Sequence, residues 1–558
     1  MSAVRRPDEG DDLLRAYFER LGSPTTWSGL ATKSFYGSDD LRNLDYRRDL
    51  GDPGDFPYAR GVHADMYRGR LWTRREVCGF GSARDTNQRL RFQIAQGVSG
   101  LSVINDNNGS LTIDADHPMA VAEGGVQGVS LSSLRDMEDL FEEIPIDKVS
   151  VAFDLSGLDS ILWMAIYAAM AEKRGLELAA LRGTVQNDTL HFQFCGYGNS
   201  CPLELGLKSS VDIIEFCTRR MPLWYTGNAN LYDMRENGID APQEIAFGLS
   251  LASAYVEKAI ERGLNVDEFA PRRAFYCSCH VDFFEEVAKL RAARRMWAHL
   301  MRERFGAKDP RSWQFRFGVH TAGVSLYPHQ PLNNAIRVAY EAMVAVLAGA
   351  QSIHCCSYDE PIGLPTETSQ TLALRTQQIL AYETGAARVA DPLGGSWYVE
   401  SLTNQIEEQA LKIMGEIEQK GGMVAAIKSG WVLQEIESAA LRRQTEIETG
   451  EKIVVGVNAF RAEREASTPG GIHESPPGQG EVLAAAVREL RRSRDNRRVA
   501  EALRHLHAQA LGGERVNLIP PLIEAARSYA TTGEMMGTVR VAYGQPYDPM
   551  GVLAPPRF

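Results

Sequence analysis

The chain has 558 residues, 44% of them hydrophobic and 24% charged, a balance that supports a sizeable core and excludes a disordered chain. A formal charge of −12 leaves no basic excess to track a phosphate backbone, so nucleic acid is not an expected partner. The longest apolar run, 161–171, stops at Glu172 and Lys173, short of the ~20 residues that cross a bilayer, and no membrane association is expected.

The first residues, 1–12, carry Arg5 and Arg6 but then Asp8, Glu9, Asp11 and Asp12 where a secretory signal would be apolar. Eight cysteines without a CxxC pair fit a reducing cytoplasm. Residues 1–60 are polar and turn-rich and read as an extended N-terminal arm with one short helix at 13–21.

The region 61–400 is different, because short β-rich segments alternate there with longer stretches of helical period. The strand candidates are 100–106, 149–155, 183–187, 223–229, 273–279, 315–321, 351–356 and 388–391. Eight such units predict an α/β fold with a parallel (β/α)₈ TIM barrel. An open doubly wound sheet is the alternative, but neither Gly79-Phe80-Gly81 nor Gly196-Tyr197-Gly198 extends to GxGxxG and no P-loop occurs. Residues 401–558 form a helical region, with helices expected at 402–419, 423–449 and 481–511 and a Pro/Gly/Ser-rich loop at 466–480.

Chemistry in such a barrel sits at the carboxyl ends of the strands. That rule selects Asn105, Asp106, Asp154, Gln186, Asn187, Asp188, Asn228, Asn230, His280, His320, Glu360 and Asp391. Each is also a residue type that caps helices or anchors loops. Cys277-Ser278-Cys279-His280 and His354-Cys355-Cys356 raise the question of a metal site, but the spacing is not that of zinc ligands, and no metal is expected. GxSxG and HExxH are both absent, which argues against simple hydrolases.

The segment RGVHADMYRGRLWTRREVCGF, residues 60–80, interleaves arginines with Tyr67 and Trp72 and suits phosphate and a stacked base. Through Arg60-Gly61, Met66-Tyr67, Arg70, Trp72-Thr73, Arg75 and Gly79-Phe80 it resembles the RGxxxxMYxxRxWTxRQxAGF motif of the adenosylcobalamin-dependent acyl-CoA mutases: the methylmalonyl-CoA, isobutyryl-CoA and 2-hydroxyisobutyryl-CoA mutase family. GLSV (100–103), GTVQND (183–188), DEFAPR (267–272), EEVAKLRAARRMWA (285–298), GAQSIH (349–354), YDEPIGLPTE (358–367), ADPLGGSWYVE (390–400) and VGVNAF (455–460) continue the resemblance in family order.

The resemblance implies a barrel that takes a CoA thioester as substrate, and adenosylcobalamin as cofactor. The DxHxxG signature of the cobalamin domain does not occur, so the expected arrangement is a large subunit sharing the cofactor with a small cobalamin-binding subunit. Dimerisation of the large subunit and a G-protein chaperone are further implied partners. By position, Arg70 and Arg75 would bind CoA phosphates, Gln186 and Arg272 would lie near the thioester, and Glu360 would hold the deoxyadenosyl ribose beside Cys356; Ser102 and Thr184 join the binding set.

Several positions depart from the family. Val77 stands where methylmalonyl-type enzymes carry Tyr, isobutyryl-type Phe and hydroxyisobutyryl-type Ile, and Ile104 takes the place of the Asp of hydroxyisobutyryl-type enzymes. Gly196 replaces the Arg that pairs with a substrate carboxylate, so a dicarboxylic substrate is disfavoured. Asp233 stands where a His donates to the thioester carbonyl, Asp154 replaces a neutral polar residue, and His320 replaces Gln. The expected function is a radical 1,2-rearrangement of a non-dicarboxylic acyl-CoA, of isobutyryl or 2-hydroxyisobutyryl type with a divergent pocket. A non-catalytic partner subunit and a different thioester carrier are the alternatives.

Overall fold

The computed structural model describes Glu19 and residues 24–155, 157–195, 201–462 and 471–555. Apart from Glu19, the expected helix at 13–21 lies outside the described residues, as do Gly196 and most of the first half of the 466–480 loop.

Strand β1 comes in two pieces, Thr73–Arg75 and Val77–Cys78, divided at Glu76. It is followed by β2 (Gly100–Ile104), β3 (Ser150–Asp154), β4 (Gly183–Val185), β5 (Trp224–Asn230), β6 (Arg273–Cys279), β7 (Phe317–Thr321) and β8 (Ser352–His354). All neighbours pair in parallel, and because the first piece of β1 pairs with β8 and the second with β2, the sheet closes on itself. The fold is a (β/α)₈ barrel with helices around it, as expected.

A strand expectation and a helix expectation are corrected. Residues 388–391 are not a strand: Ala386–Arg388 is a 3₁₀ turn, and Asp391 adopts φ 47°, in the left-handed region. The carboxylate of Asp391 is consumed by Arg60 Nε (3.0 Å) and by the buried Arg291, which pins the segment outside the barrel. The eighth staved position belongs to β1, hidden in the arginine-rich motif. The helix expected at 481–511 is also two helices, Gln479–Ser493 and Asn496–Ala510, with the Asp495 side chain accepting from the Arg497 and Arg498 N–H groups to start the second.

Side-chain alternation divides the strands into two faces. Leu101, Val103, Val151, Phe153, Val185, Phe275, Cys277, Val319 and Ile353 face outward into cores shared with the helices. One core joins the barrel to helices Ala241–Glu261, Phe283–His299 and Trp397–Gln419; the other joins it to Asp159–Lys173, Ile519–Arg527 and Thr532–Ala542. The apolar run 161–171 lies in the second core, every residue at most 1% exposed, so its all-round hydrophobicity is that of a helix enclosed by protein. No described helix is long and apolar enough to cross a membrane. The inner positions Gly100, Ser102, Ser150, Ala152, Thr184, Gly318 and Ser352 are small or polar, whereas branched aliphatic side chains fill a packed barrel.

Candidate active site

At the carboxyl ends of the strands lies a cavity of about 780 Å³. Seven of the residues singled out from the sequence line it: Val77, Ile104, Asn105, Asp154, Asp233, His320 and Glu360, of which Asn105 spends its amide N–H on Asp159 Oδ2 (2.8 Å). Alternation accounts for Val77, Ile104, Asp154 and His320, which are the last inward positions of β1, β2, β3 and β7.

Asp154 accepts a hydrogen bond from the Ser102 hydroxyl on the next strand (Oδ2, 2.8 Å). Burial, with a smaller contribution from the charge of Asp233, pushes its carboxyl up to about 6, against the pull of Ser102 and Arg75. A raised folded-state value means that the native state keeps a proton which the unfolded chain releases between about pH 4 and 6, so stability falls as pH rises through that window. Asp154→Asn, which can keep an acceptor for Ser102, should therefore stabilise the protein by about 1–3 kcal/mol at pH 8 and by little at pH 4.5. Denaturant titrations at the two pH values check this; an equal effect at both would exclude ionisation as the cause.

Asp233 opens the short helix Tyr232–Glu236, and its N–H donates to Asn230 Oδ1 (3.0 Å). Its Oδ2 accepts from Asn230 Nδ2 (2.7 Å) and from His191 Nε2 (2.9 Å). The other nitrogen of His191 meets the Asp188 carbonyl, so both ring nitrogens face acceptors, the pattern of an imidazolium. Burial works against that charge, but Asp233 and Asp188 outweigh it and raise the His191 pKa. His191 is fully buried behind Asp233, whose side chain is 33% exposed toward the cavity.

The two histidines of the wall are neutral and have opposite tautomers. The Val77 N–H donates to His354 Nδ1 (3.0 Å), which leaves the proton of His354 on Nε2. His320 Nδ1 donates to the Thr321 carbonyl (2.7 Å), which leaves Nε2 an acceptor. The rings lie 4.1 Å apart, and burial holds both below the usual histidine range, His320 at about 4. Sequence reasoning considered His354 only as a metal ligand and missed His191; the His after GTVQND was the available signal.

Glu360 reaches solvent through the cavity yet is walled by protein, and burial with the neighbouring charge of Asp359 raises its carboxyl to about 7. Gln370 lines the same part of the cavity, and its Oε1 is buried without a partner among the described residues.

The remaining sequence-predicted residues lie off the cavity. Gln186 follows β4 beside Asp154, its N–H donating to the Phe153 carbonyl (2.9 Å), and is buried. Ser102, Thr184 and Arg75 are inward positions lower in the barrel, where Arg75 donates to the Leu101 carbonyl and to Ser150 Oγ (2.8 Å). Burial lowers Arg75 to about 10. Arg70 is exposed before β1, and Arg272 precedes β6 with its guanidinium 5.1 Å from the Tyr225 ring; both belong to the amino-end mouth. Cys356 is buried behind His320 and donates to the Thr321 carbonyl (Sγ, 3.1 Å).

Several strand-end candidates are structural. Asp106 accepts from the Gly109 and Gly125 N–H groups, Asn187 Oδ1 from Gly227 N, and Asp188 from Tyr255 Oη and Asn230 N. Cys277 and Cys279 are buried in the outer core, and His280 Nε2 accepts from Arg443 (2.7 Å).

A closed parallel barrel with a polar cavity at its carboxyl-end face defines a barrel enzyme. Residues 25–545 match the methylmalonyl-CoA mutase family. The chain is 40% identical to the 2-hydroxyisobutanoyl-CoA mutase large subunit of Aquincola tertiaricarbonis, over 89% of this chain and 88% of that protein. It is 39% identical to the methylmalonyl-CoA mutase of Rhizobium meliloti (strain 1021) and 38% identical to that of Escherichia coli (strain K12), in each case over 93% of this chain and 72% of the relative. The chain belongs to the methylmalonyl-CoA mutase family and is an isomerase of the intramolecular-transferase class. The family is cobalamin-dependent and acts on CoA thioesters.

Proposed function

We propose that this chain is the large subunit of an adenosylcobalamin-dependent mutase that rearranges the carbon skeleton of a non-dicarboxylic acyl-CoA of isobutyryl or 2-hydroxyisobutyryl size. The observation that carries the substrate reading is the composition of the cavity wall. It presents Asp154 and Asp233 beside the aliphatic Val77 and Ile104. Its arginine, Arg89, lies on the Phe80–Pro365 side of the wall, with its guanidinium 5.0 Å from the Phe80 ring and Nη1 donating to the Pro365 carbonyl (3.1 Å). A second carboxylate on the acyl group would meet like charge from Asp154 and Asp233.

The cavity residues fit the cofactor. Glu360 and the unpartnered Gln370 Oε1 offer acceptors for the two hydroxyls of a ribose. When bound, adenosylcobalamin supplies a homolysable cobalt–carbon bond and hence the radical chemistry of a 1,2-rearrangement. The chain supplies position and shielding. The closed wall keeps water from reactive species, the small inner residues border the axis along which a pantetheine arm would run, and Arg70 and Arg272 place cations at the amino-end mouth for the CoA phosphates. The His354 Nε2–H is a donor available in the cavity wall to a thioester carbonyl where the family's His is replaced by Asp233. The Aquincola relative is named as a large subunit, which supports a separate small partner carrying the cobalamin.

The test is anaerobic incubation of the chain with a cobalamin-binding small subunit, adenosylcobalamin and a panel of acyl-CoAs, read by mass spectrometry. Isomerisation of a monocarboxylic acyl-CoA with none of methylmalonyl-CoA is the expected result; the reverse preference would refute the substrate reading. Val77→Phe should narrow the range of acyl groups, lowering kcat/KM for groups bulkier than isobutyryl about tenfold or more relative to isobutyryl, since a ring fills the space that Val77 leaves. An unchanged range of acyl groups would show that Val77 does not bound the acyl pocket.

A further inference from the structure

Three acceptors face the acyl end of the cavity with no donor of their own. Asp154 spends Oδ2 on Ser102, and its Oδ1 has no partner among the described residues. Asp233 spends Oδ2 on Asn230 and His191, and its Oδ1 is likewise without a partner. His320 is 93% buried, its Nδ1 proton is committed to the Thr321 carbonyl, and its Nε2 lone pair is unpartnered among the described residues. Val77 and Ile104 beside them offer no donors. These atoms open onto the cavity, the Asp233 side chain being 33% exposed, and would lose solvent when an acyl group fills it; an acceptor then left without a donor costs free energy, so the bound acyl group is expected to bring the missing protons.

The number of donors discriminates between acyl groups. An alkyl group brings none, a hydroxyl brings one, and a protonated amine brings three together with a positive charge. The charges agree with that count. His191 already balances Asp233, whereas Asp154 has a hydroxyl partner and no ion pair, because Arg75 is turned down the barrel to Leu101 and Ser150.

Resting on the reading of the chain as an acyl-CoA mutase, we infer that its substrate is an acyl-CoA whose acyl group carries an ammonium, received by Asp154, Asp233 and His320, with His191 as the residue that positions Asp233. His191 acts through the carboxylate and does not itself face the cavity.

Calorimetric titration of the full chain with 3-aminobutyryl-CoA, 3-aminoisobutyryl-CoA, butyryl-CoA, isobutyryl-CoA and 3-hydroxybutyryl-CoA tests this. At least one aminoacyl-CoA should bind tenfold or more tightly than its amine-free counterpart, and more tightly than the hydroxyacyl-CoA. That ratio should fall toward one in Asp154→Asn and in Asp233→Asn, which keep the size and local hydrogen bonding of each side chain; circular dichroism identifies a variant that fails to fold, and the other variant then decides. Butyryl-CoA binding without a preference for the amine would overturn the inference while leaving the mutase reading intact. So would a preference for the hydroxyl, or an amine preference that survives in both variants. Failure of every thioester to bind would refute the acyl-CoA reading, and this inference with it.

Discussion

Replacing Glu360 with Ala should lower turnover of the assembled mutase by about 100-fold or more without lowering the unfolding midpoint of the chain. The size follows from positioning, since a reacting group displaced by about 1 Å can lose that factor. Folding should be spared because burial and Asp359 raise the Glu360 carboxyl to about 7, so its ionised form makes no favourable contribution to the native state. Glu360→Gln keeps an acceptor oxygen and should retain more activity than the Ala variant. Turnover with saturating adenosylcobalamin, paired with thermal denaturation, separates the two effects. Unchanged turnover in the Ala variant would remove the ribose assignment; a parallel loss of stability would make Glu360 structural.

The largest effect on stability is expected from Lys289→Met. Lys289 lies on the helix Phe283–His299, and its Nζ donates to Glu244 Oε2 (2.7 Å), to the Ser278 carbonyl of β6 (2.8 Å) and to Glu286. Arg235 Nη2 reaches the other oxygen of Glu286 (2.9 Å), and all four side chains are essentially inaccessible. Burial disfavours the ammonium, but Glu244 and Glu286 outweigh it and raise the Lys289 pKa. Its contribution is therefore fully present below the ordinary lysine value and is lost only as pH climbs through the raised one. Met fills the volume but leaves two buried carboxylates sharing Arg235, at a cost of about 3–5 kcal/mol. Adding Glu286→Met should recover part of that loss, because a pair of charges is then removed together. Urea denaturation of the two single variants and the double variant measures it; additive losses would show that the two residues are not coupled.

Seven barrel strands were legible because each buries alternate apolar residues against helices, and that pattern is local. The first strand was not. In Thr73–Cys78 the inward positions carry Thr, Arg and Val and the pairing is broken at Glu76, so the segment reads as a charged cluster until β2 and β8 are seen on either side of it. The converse error at 388–391 has the same root: a short β-like string is indistinguishable from a strand until the place beside β8 is found to be taken.

For the site, the same alternation placed Val77, Ile104, Asp154 and His320 on the inner face, and the family motifs added Glu360 and Asp233. Whether a polar strand-end residue serves the cavity or the scaffold was not legible. Asp106, Asn187, Asp188 and Asp391 are of the same residue types as Asp154 and Asp233, yet they are consumed by backbone N–H groups and arginines.

By itself, the sequence determined the barrel, the family and the end of the barrel at which the chemistry lies, because periodicity and motifs are properties of neighbouring residues. Only the tertiary structure decided which side chains meet. His191 is paired with Asp233 across 42 positions and His354 with Val77 across 277, and these contacts set the charge of one imidazole and the tautomer of the other. Protonation and hydrogen-bond satisfaction depend on what surrounds a group in space, and chain closure around the barrel brings those surroundings from eight distant strands.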